Sequence, residues 1–486
     1  MRLSKSKYLS GLQCHKQLYF ETHATALATA RDETSEGRLE MGKEVGWLAH
    51  GLFPGGVLVD AGPDKLDEAV KQTSELVRDP RVSAIFQGAF SFDNVIIRVD
   101  ILERAGRDRW RLIEVKSSAK AKDEHYPDLA IQTYVLTGAA IALSGSCVMH
   151  LNNQYIYSGG ELNLEQLFTI EDLTAKTTEL LPQVPHHLAS MQAMLTASDP
   201  PVIEPDYHCE DPYLCPFWNH CTQSKHTRWI YHLSGGRTTF NKLVREGVET
   251  IDEIPAGFPL SIRQQREKDN VEWINHDLRA ELTSVQYPLH HLDFETFMPA
   301  IPKYAMTRPY QTVPFQWSNH IETEDGQLRH DEYVCADKRD PREELALRLL
   351  ESLGRVGSIC VYSGYEERIL KGLAETLPRL KPDLDRAIDR LWDLQKKIKQ
   401  HYYHPQFMGS FSLKDVLPAV VPSLSYCDLE IREGGAAAQQ YYNMIFEATD
   451  PAGKEHVRQA LLKYCERDTL ALVELRRALL QKTNSR

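Results

Sequence analysis

The chain has 486 residues, 26% of them charged and 42% hydrophobic, with a formal net charge of -12. That length holds two or three domains with sizeable cores, and the acidic balance excludes a protein that coats nucleic acid through overall positive charge, while leaving room for a cleft with basic walls. No apolar run reaches bilayer-spanning length and the first twenty residues lack a continuous apolar stretch, so a cytoplasmic location without a membrane partner is expected.

Residues 3–20, LSKSKYLSGLQCHKQLYF, predict a short helical segment carrying Cys14 among apolar and basic residues. Residues 36–50 predict one helix with Gly46 and His50 on the same side at the i, i+4 spacing. A single histidine there counts as a ligand only if partners converge on it. An amphipathic helix is expected over 65–77 and a strand over 84–90.

The next stretch, RVDILERAGRDRWRLIEVKSS from Arg98 to Ser118, carries the first chemistry. Residues 95–103 are rich in β-branched side chains, 105–108 form a polar turn with a glycine, and 109–116 alternate again, which predicts a β-hairpin. Glu114 and Lys116 share one face because strand side chains repeat every two residues. A loop with a bulge near Gly106 is expected to bring Asp100 opposite Glu114. Two carboxylates that close repel unless a divalent cation lies between them, and hard oxygen ligands suit Mg²⁺ or Mn²⁺. Lys116 beside them is placed to orient an attacking water and to offset charge on a phosphate. Alone, the triplet reads more simply as a solvated face with a surface ion pair. A helix over 128–143 carries Gln132 and Tyr134, and packed beside the hairpin it aims Gln132 at the metal or the scissile phosphate.

Nine cysteines in such a chain read as thiols or ligands rather than disulfides. Cys209, Cys215 and Cys221 stand in HCEDPYLCPFWNHC with five residues between each pair, after a proline-rich approach over 199–205. Three close cysteines among aromatics indicate a metal site lacking one ligand, for which Cys14 is the natural fourth. Zinc, an iron–sulfur cluster and unrelated buried thiols all stay open on spacing alone.

Cys14, Gly46-x-x-x-His50, Asp100, Glu114-x-Lys116, Gln132 and the cysteine triplet follow one another in the order of the RecB-like PD-(D/E)xK nucleases that carry an iron–sulfur cluster. Residues 1–225 therefore resemble that group, which includes CRISPR-associated adaptation nucleases and the AddB nuclease domain. The resemblance implies a 4Fe-4S cluster on Cys14, Cys209, Cys215 and Cys221, with zinc the lesser candidate, and a metal held by His50, Asp100, Glu114 and the carbonyl of Val115. The sequence departs from the group in two places. Both cysteine gaps are five residues where the group has two and then five, and Leu136 stands where a tyrosine usually follows the glutamine, with Tyr134 two residues after Gln132.

Residues 226–286 are helical and charged, and TTFNKLVREGVETIDEIP reads either as a module similar to helix-hairpin-helix elements or as a plain helical linker. A second set of acids follows. LHHLDFETF is a short apolar strand ending in Asp293-x-Glu295, two carboxylates on one face. Strands are expected over 313–321 and 329–335, a helix over 341–353, and a buried strand over 358–364 leading into a helix that places Glu366 at the junction. A helix over 461–479 carries Tyr464 and Asp468 one turn apart. MGSFSLKDVLP predicts a further helix start, where Lys414 is within the reach of a phosphate but reads more simply as solvated. Cys147, Cys335, Cys360, Cys427 and Cys465 have no ligand spacing and read as ordinary thiols.

Four carboxylates are what two Mg²⁺ ions require for in-line attack of water on a phosphodiester, with Tyr464 placed to orient that water. Residues 287–482 resemble the DnaQ-like 3'-5' exonucleases of the ribonuclease H-like fold, in the variant that uses tyrosine; Glu366 stands where that group usually has aspartate.

The expected fold class is thus α/β: a restriction-endonuclease-like PD-(D/E)xK domain (1–225), a helical linker module (226–286) and a ribonuclease H-like domain (287–486). The order of the two nuclease-like parts is similar to a bacterial family of RecB-family nucleases with this C-terminal extension. The expected activity is that of a metal-dependent DNA nuclease with two sites, acting in DNA processing, repair or defence, with Mg²⁺ or Mn²⁺ at both. The alternatives are a single-site nuclease whose C-terminal domain only binds nucleic acid, and an exonuclease directed at RNA.

Overall fold

In the computed structural model, which describes residues 2–62, 65–448 and 450–484, the chain is mixed α/β. It divides into one unit of Met1–Ser224 with Pro299–Gln311, and a second of Lys225–Met298 with Thr312–Arg486.

The first unit is built on a seven-stranded sheet: β1 (Leu3–Ser4), β2 (Val57–Leu58), β3 (Ala84–Phe92), β4 (Val95–Arg104), β5 (Trp110–Lys116), β6 (Leu143–Leu151) and β7 (Phe168–Asp172). The order is β2-β3-β4-β5-β6-β7, with β1 paired to β4. Alternate residues serve opposite faces, so Leu112 and Val148 join one core while Ile113 and Met149 join the other. The β4–β5 register runs unbroken from Arg104↔Trp110 to Ile101↔Ile113. The bulge expected near Gly106 is not needed, because Gly106 turns the chain at φ +150°. The edge of β4 that faces β5 also pairs with β1 at Val95 and Ile96, leaving residues 97–100 between the two partners. The residue following β1, Lys5, is thereby carried toward Asp100.

The segment 3–20 is not one helix. An extended Cys14 (φ −160°, ψ 121°) separates helix Lys5–Gln13 from helix His15–His23. The helix expected over 128–143 is His125–Gly138, and it stops at glycine before β6 begins. The segment Pro299–Gln311 adds Ala300 and Ile301 to the core around Val45, Ala49 and Ile113. It is held by a Tyr157–Thr307 bridge and a Lys303–Glu44 ion pair of 2.8 Å.

In the second unit, β8 (Trp273–Ile274) pairs with β14 (Tyr402–Tyr403), while β9 (Leu289–Phe297), β10 (Val313–Glu322), β11 (Leu328–Val334), β12 (Ile359–Val361) and β13 (Leu391–Asp393) make a sheet ordered β11-β10-β9-β12-β13. The first three are antiparallel; β12 and β13 run parallel to β9. Helix Pro451–Asn484 lies against β9 and β10, where Gln316 donates to the Leu461 carbonyl (2.8 Å) and Ser318 meets Thr469 (2.7 Å). Residues 226–286 do not stand apart as a linker. Leu278 and Leu282 pack with Leu289, Leu472 and Leu475 in the core of this unit. After Gly247 there is one 3₁₀ turn, Ile251–Glu253, where a helix-hairpin-helix needs a second helix.

His291 and His320 are paired across β9 and β10 beneath the C-terminal helix, while His290 lies on the opposite face of the sheet beside Asn319. His290, His291 and His320 are buried, and desolvation lowers their pKa values to about 4, 3 and 4. Unfolding frees them to take up protons below their ordinary value of 6.5, so the unfolded state binds more protons and stability falls as pH drops from 6.5 toward 4. At about 1.4 kcal/mol per pH unit, a group lowered to about 4 costs about 3 kcal/mol once protonated. Asp293, Glu295 and Glu366 of the same unit, whose carboxyls burial raises, pull the other way over this range. The imidazole contribution is therefore read as the difference in urea midpoint between the wild type and His291→Asn. That difference is expected to shrink as pH falls from 6.5 to 4, and a constant difference would mean that the imidazole is solvated.

Candidate functional site

Two centres emerge, one in each unit. In the first, the register places Asp100 across from Glu114, and the Val115 amide donates to Asp100 Oδ2 at 2.9 Å. Gln87, opposite Asp100 on β3, donates to its other oxygen at 3.1 Å. Glu114 is the hub. Its Oε1 accepts from Lys5 (2.7 Å) and Lys116 (2.8 Å), and its Oε2 from Gln132 (2.8 Å). Asp128, one helical turn before Gln132, accepts from Lys116 at 2.5 Å and from Gln132 at 2.9 Å, and lies 3.2 Å from Lys5. Three carboxylates thus surround two ammonium groups.

The electrostatics follow from burial. Desolvation and the charge of Glu114 push the Asp100 carboxyl up to about 6. Burial also opposes ionisation of Glu114, but Lys116 and Lys5 hold it far below the usual carboxylate range. Both lysines, despite their own burial, are held charged by these acids. His50 stacks on Phe86 with ring centroids 4.0 Å apart, and burial lowers its pKa, which favours the neutral imidazole. Tyr134 does not join the centre, because its hydroxyl donates to Asp93 in the β3–β4 turn at 2.9 Å. Lys5 and Gln87 were not legible as site residues, since strand pairing brings each of them in, whereas Asp128 lies one helical turn before Gln132 and follows from it.

In the second unit, β9 presents Asp293 and Glu295, and the facing helix presents Tyr464, Cys465 and Asp468. Among the described residues, Asp293, Glu295 and Cys465 are the one set of three or more acid, cysteine or histidine side chains whose ligand atoms all lie within 4.8 Å. Cys465, which has no ligand spacing in the sequence, is thus brought beside two carboxylates: its Sγ is 3.6 Å from Asp293 Oδ2. Glu366 is in the first turn of helix Tyr365–Thr376, just beyond β12. Tyr426 donates to Asp468 Oδ1 at 2.5 Å, and Tyr464 also hydrogen-bonds Asp468. The Lys414 ammonium lies 5.8 Å and 5.7 Å from the Tyr426 and Tyr464 ring centres. It is exposed, as read from sequence, yet its charge reaches both Glu295 and Asp468.

Burial pushes all four acids up, and repulsion adds to it for Asp293, Glu295 and Glu366. Asp293 and Glu295 stand well above the usual range, Glu366 at about 8 and Asp468, which Tyr426, Lys414 and Tyr464 draw back down, at about 6. Burial is the largest cause for each, followed for Asp293 by Asp468, Glu295 and Glu366. Acids so arranged suit a bound cation, which removes the repulsion.

Residues 290–412 match a domain of unknown function, DUF2779. No curated protein and no solved structure matches the chain. The matched stretch contains Asp293, Glu295 and Glu366 and ends before Tyr464, Cys465 and Asp468, so the helix completing the centre lies outside it.

The four cysteines expected to act together are all free thiols. Cys209 and Cys215 are buried beside Phe20 and Phe217, and the Cys215 amide donates to the Cys209 carbonyl at 2.7 Å. Cys14 acts electrostatically on Cys209, Cys215 and Cys221, which places the four in one neighbourhood. Desolvation pushes Cys209 up to about 11 and Cys215 to about 12. They do not enter the 4.8 Å ligand set among the described residues.

Proposed function

We propose that the protein is a metal-dependent phosphodiesterase with two active sites, acting on nucleic-acid ends, DNA in preference to RNA. The observation that carries this reading is the convergence of Asp293, Glu295, Glu366 and Asp468, from a central strand and two helices, onto one buried centre. A divalent cation bound there supplies Lewis-acid activation for hydrolysis of a phosphodiester. Tyr426 and Tyr464 hold Asp468, and Lys414 offers positive charge to a phosphate at the mouth of the centre. The strand order, an antiparallel β9–β10–β11 meander continued by parallel β12 and β13, supports a ribonuclease H-like fold for this unit.

In the first unit, the Asp100–Glu114–Lys116 constellation on a β-hairpin, with Gln132 from the following helix, supports the PD-(D/E)xK reading. Lys116 and Lys5 are charged donors placed to steady a phosphate oxygen. The four thiols fit a tetrathiolate group. The resemblance of the sequence favours the 4Fe-4S cluster for them, with zinc the lesser candidate.

The test is digestion of end-labelled single-stranded and duplex DNA and RNA with Mg²⁺ or Mn²⁺, comparing the wild type, Lys116→Ala, Asp468→Ala and the double variant. Loss of a different product ladder in each single variant is expected. If Asp468→Ala cuts every substrate as the wild type does, the second unit is a binding module. Tyr426→Phe is expected to lower kcat about tenfold, since a hydrogen bond to a charged group contributes about 1.5 kcal/mol or more. An unchanged kcat would show that Tyr464 alone holds Asp468.

A further inference from the structure

Cys465 is fully buried, and its Sγ is placed against the Asp293 carboxylate (3.6 Å) and main-chain carbonyl (3.9 Å). It precedes Asp468 by three positions, so the helix turns sulfur and carboxylate toward the same strand. One cation with bonds of about 2.3 Å to sulfur and 2.0–2.2 Å to oxygen spans ligand atoms up to about 4.4 Å apart, which the Cys465–Asp293 separation satisfies. A second observation also points to a cation. Glu366 is 3% exposed, its Oε2 has no hydrogen-bond partner among the described residues, and its charge bears on Asp293, Glu295 and Asp468.

Sulfur changes which cation such a centre prefers. Mg²⁺ takes oxygen ligands and gains little from a thiolate, whereas Zn²⁺ and Co²⁺ bind sulfur and carboxylate together. The Cys465 S–H donates to Asp293 in the metal-free chain, and the same approach sets the sulfur within reach of a cation held by that carboxylate. We propose that Cys465 is a thiolate ligand, making the C-terminal carboxylate centre a mixed oxygen–sulfur site that takes a thiophilic divalent cation, Zn²⁺ or Co²⁺, in preference to Mg²⁺. This rests on the reading of that centre as a cation site. Binding replaces the S–H bond with a sulfur–metal bond and releases the proton to solvent.

Titration of the full chain with Co²⁺, followed by absorption, tests it. The wild type is expected to show sulfur-to-cobalt charge-transfer absorption of which one thiolate's share is missing in Cys465→Ser and Cys465→Ala. Contributions from Cys14, Cys209, Cys215 and Cys221 are common to all the chains and cancel in the difference. Zn²⁺ affinity is expected to fall about tenfold or more in Cys465→Ser, with Mg²⁺ affinity within about twofold of the wild type. Asp293→Asn is expected to lose the same share of the band without touching the sulfur, which keeps the test available should both cysteine variants unfold. Superimposable spectra and equal Zn²⁺ affinities for wild type and Cys465→Ser would overturn the sulfur ligand alone. Zn²⁺ and Mg²⁺ binding that also survives Asp293→Asn would remove the cation site itself.

Discussion

Asp293→Asn is expected to abolish turnover at the C-terminal centre and, at the same time, to make the metal-free chain harder to unfold. The carboxyl of Asp293 is driven far above its ordinary range by burial, then by Asp468, Glu295 and Glu366. An amide of the same shape takes no part in that repulsion, so the folded state loses a liability that the unfolded chain never had. The same change removes a charged ligand, and a loss of about a thousandfold in kcat is the scale for deleting a group that stabilises developing charge. Thermal unfolding in chelator and in Mn²⁺ separates the two effects. The wild type should gain stability from the ion by mass action, whereas the variant should start higher and gain little. A variant that melts below the wild type in chelator would show that Asp293 is held by favourable contacts.

Glu114→Gln should act in the opposite direction on the first unit. The carboxylate is 3% exposed and receives Lys5, Lys116 and Gln132. Neutralising it leaves two half-buried ammonium groups with Asp128 as their near counter-charge. Breaking a buried pair by removing one partner costs about 3–5 kcal/mol, and activity at this centre should disappear with the ligand. Denaturant unfolding of Glu114→Gln, Lys5→Met and the double variant provides the check, since part of the loss should return when Lys5 is also removed. A cost below about 1 kcal/mol would place the pair in the class of solvated surface bridges.

The parts of these centres that were legible in the sequence are those set by local periodicity. The two-residue repeat of a strand put Glu114 with Lys116 and Asp293 with Glu295, and the helical turn put Tyr464 with Asp468. Lys5, Gln87 and Tyr426 were not legible, because each reaches its site through pairing between separate segments, whereas Asp128 shares a helical face with Gln132 and was open to the same periodicity argument. Lys5 depends on a two-residue strand docking against β4 at Val95 and Ile96, which carries no compositional signal. Lys414 and Cys465 were seen but read blandly, as a solvated ammonium and an ordinary thiol. Neither side chain reveals its partner until β9 and the C-terminal helix are placed together. The helix over 128–143 was drawn too far because Ala139 to Ala142 are good helix formers, while the chain in fact turns there with Ala140 at φ +61°.

The segment Pro299–Gln311 has a consequence for how the chain can be made and dissected. Ala300 and Ile301 are 1% and 4% exposed in the core of the first unit, and Tyr310 meets Ser117, the residue after Lys116, at 2.8 Å. During synthesis the first unit therefore cannot close its core when residue 224 leaves the ribosome; it must wait until residue 311, by which time β9 of the second unit already exists. A fragment stopped near 224 is born with an apolar slot where Ala300 and Ile301 belong, and its shortfall would be one of missing sequence rather than of missing chemistry.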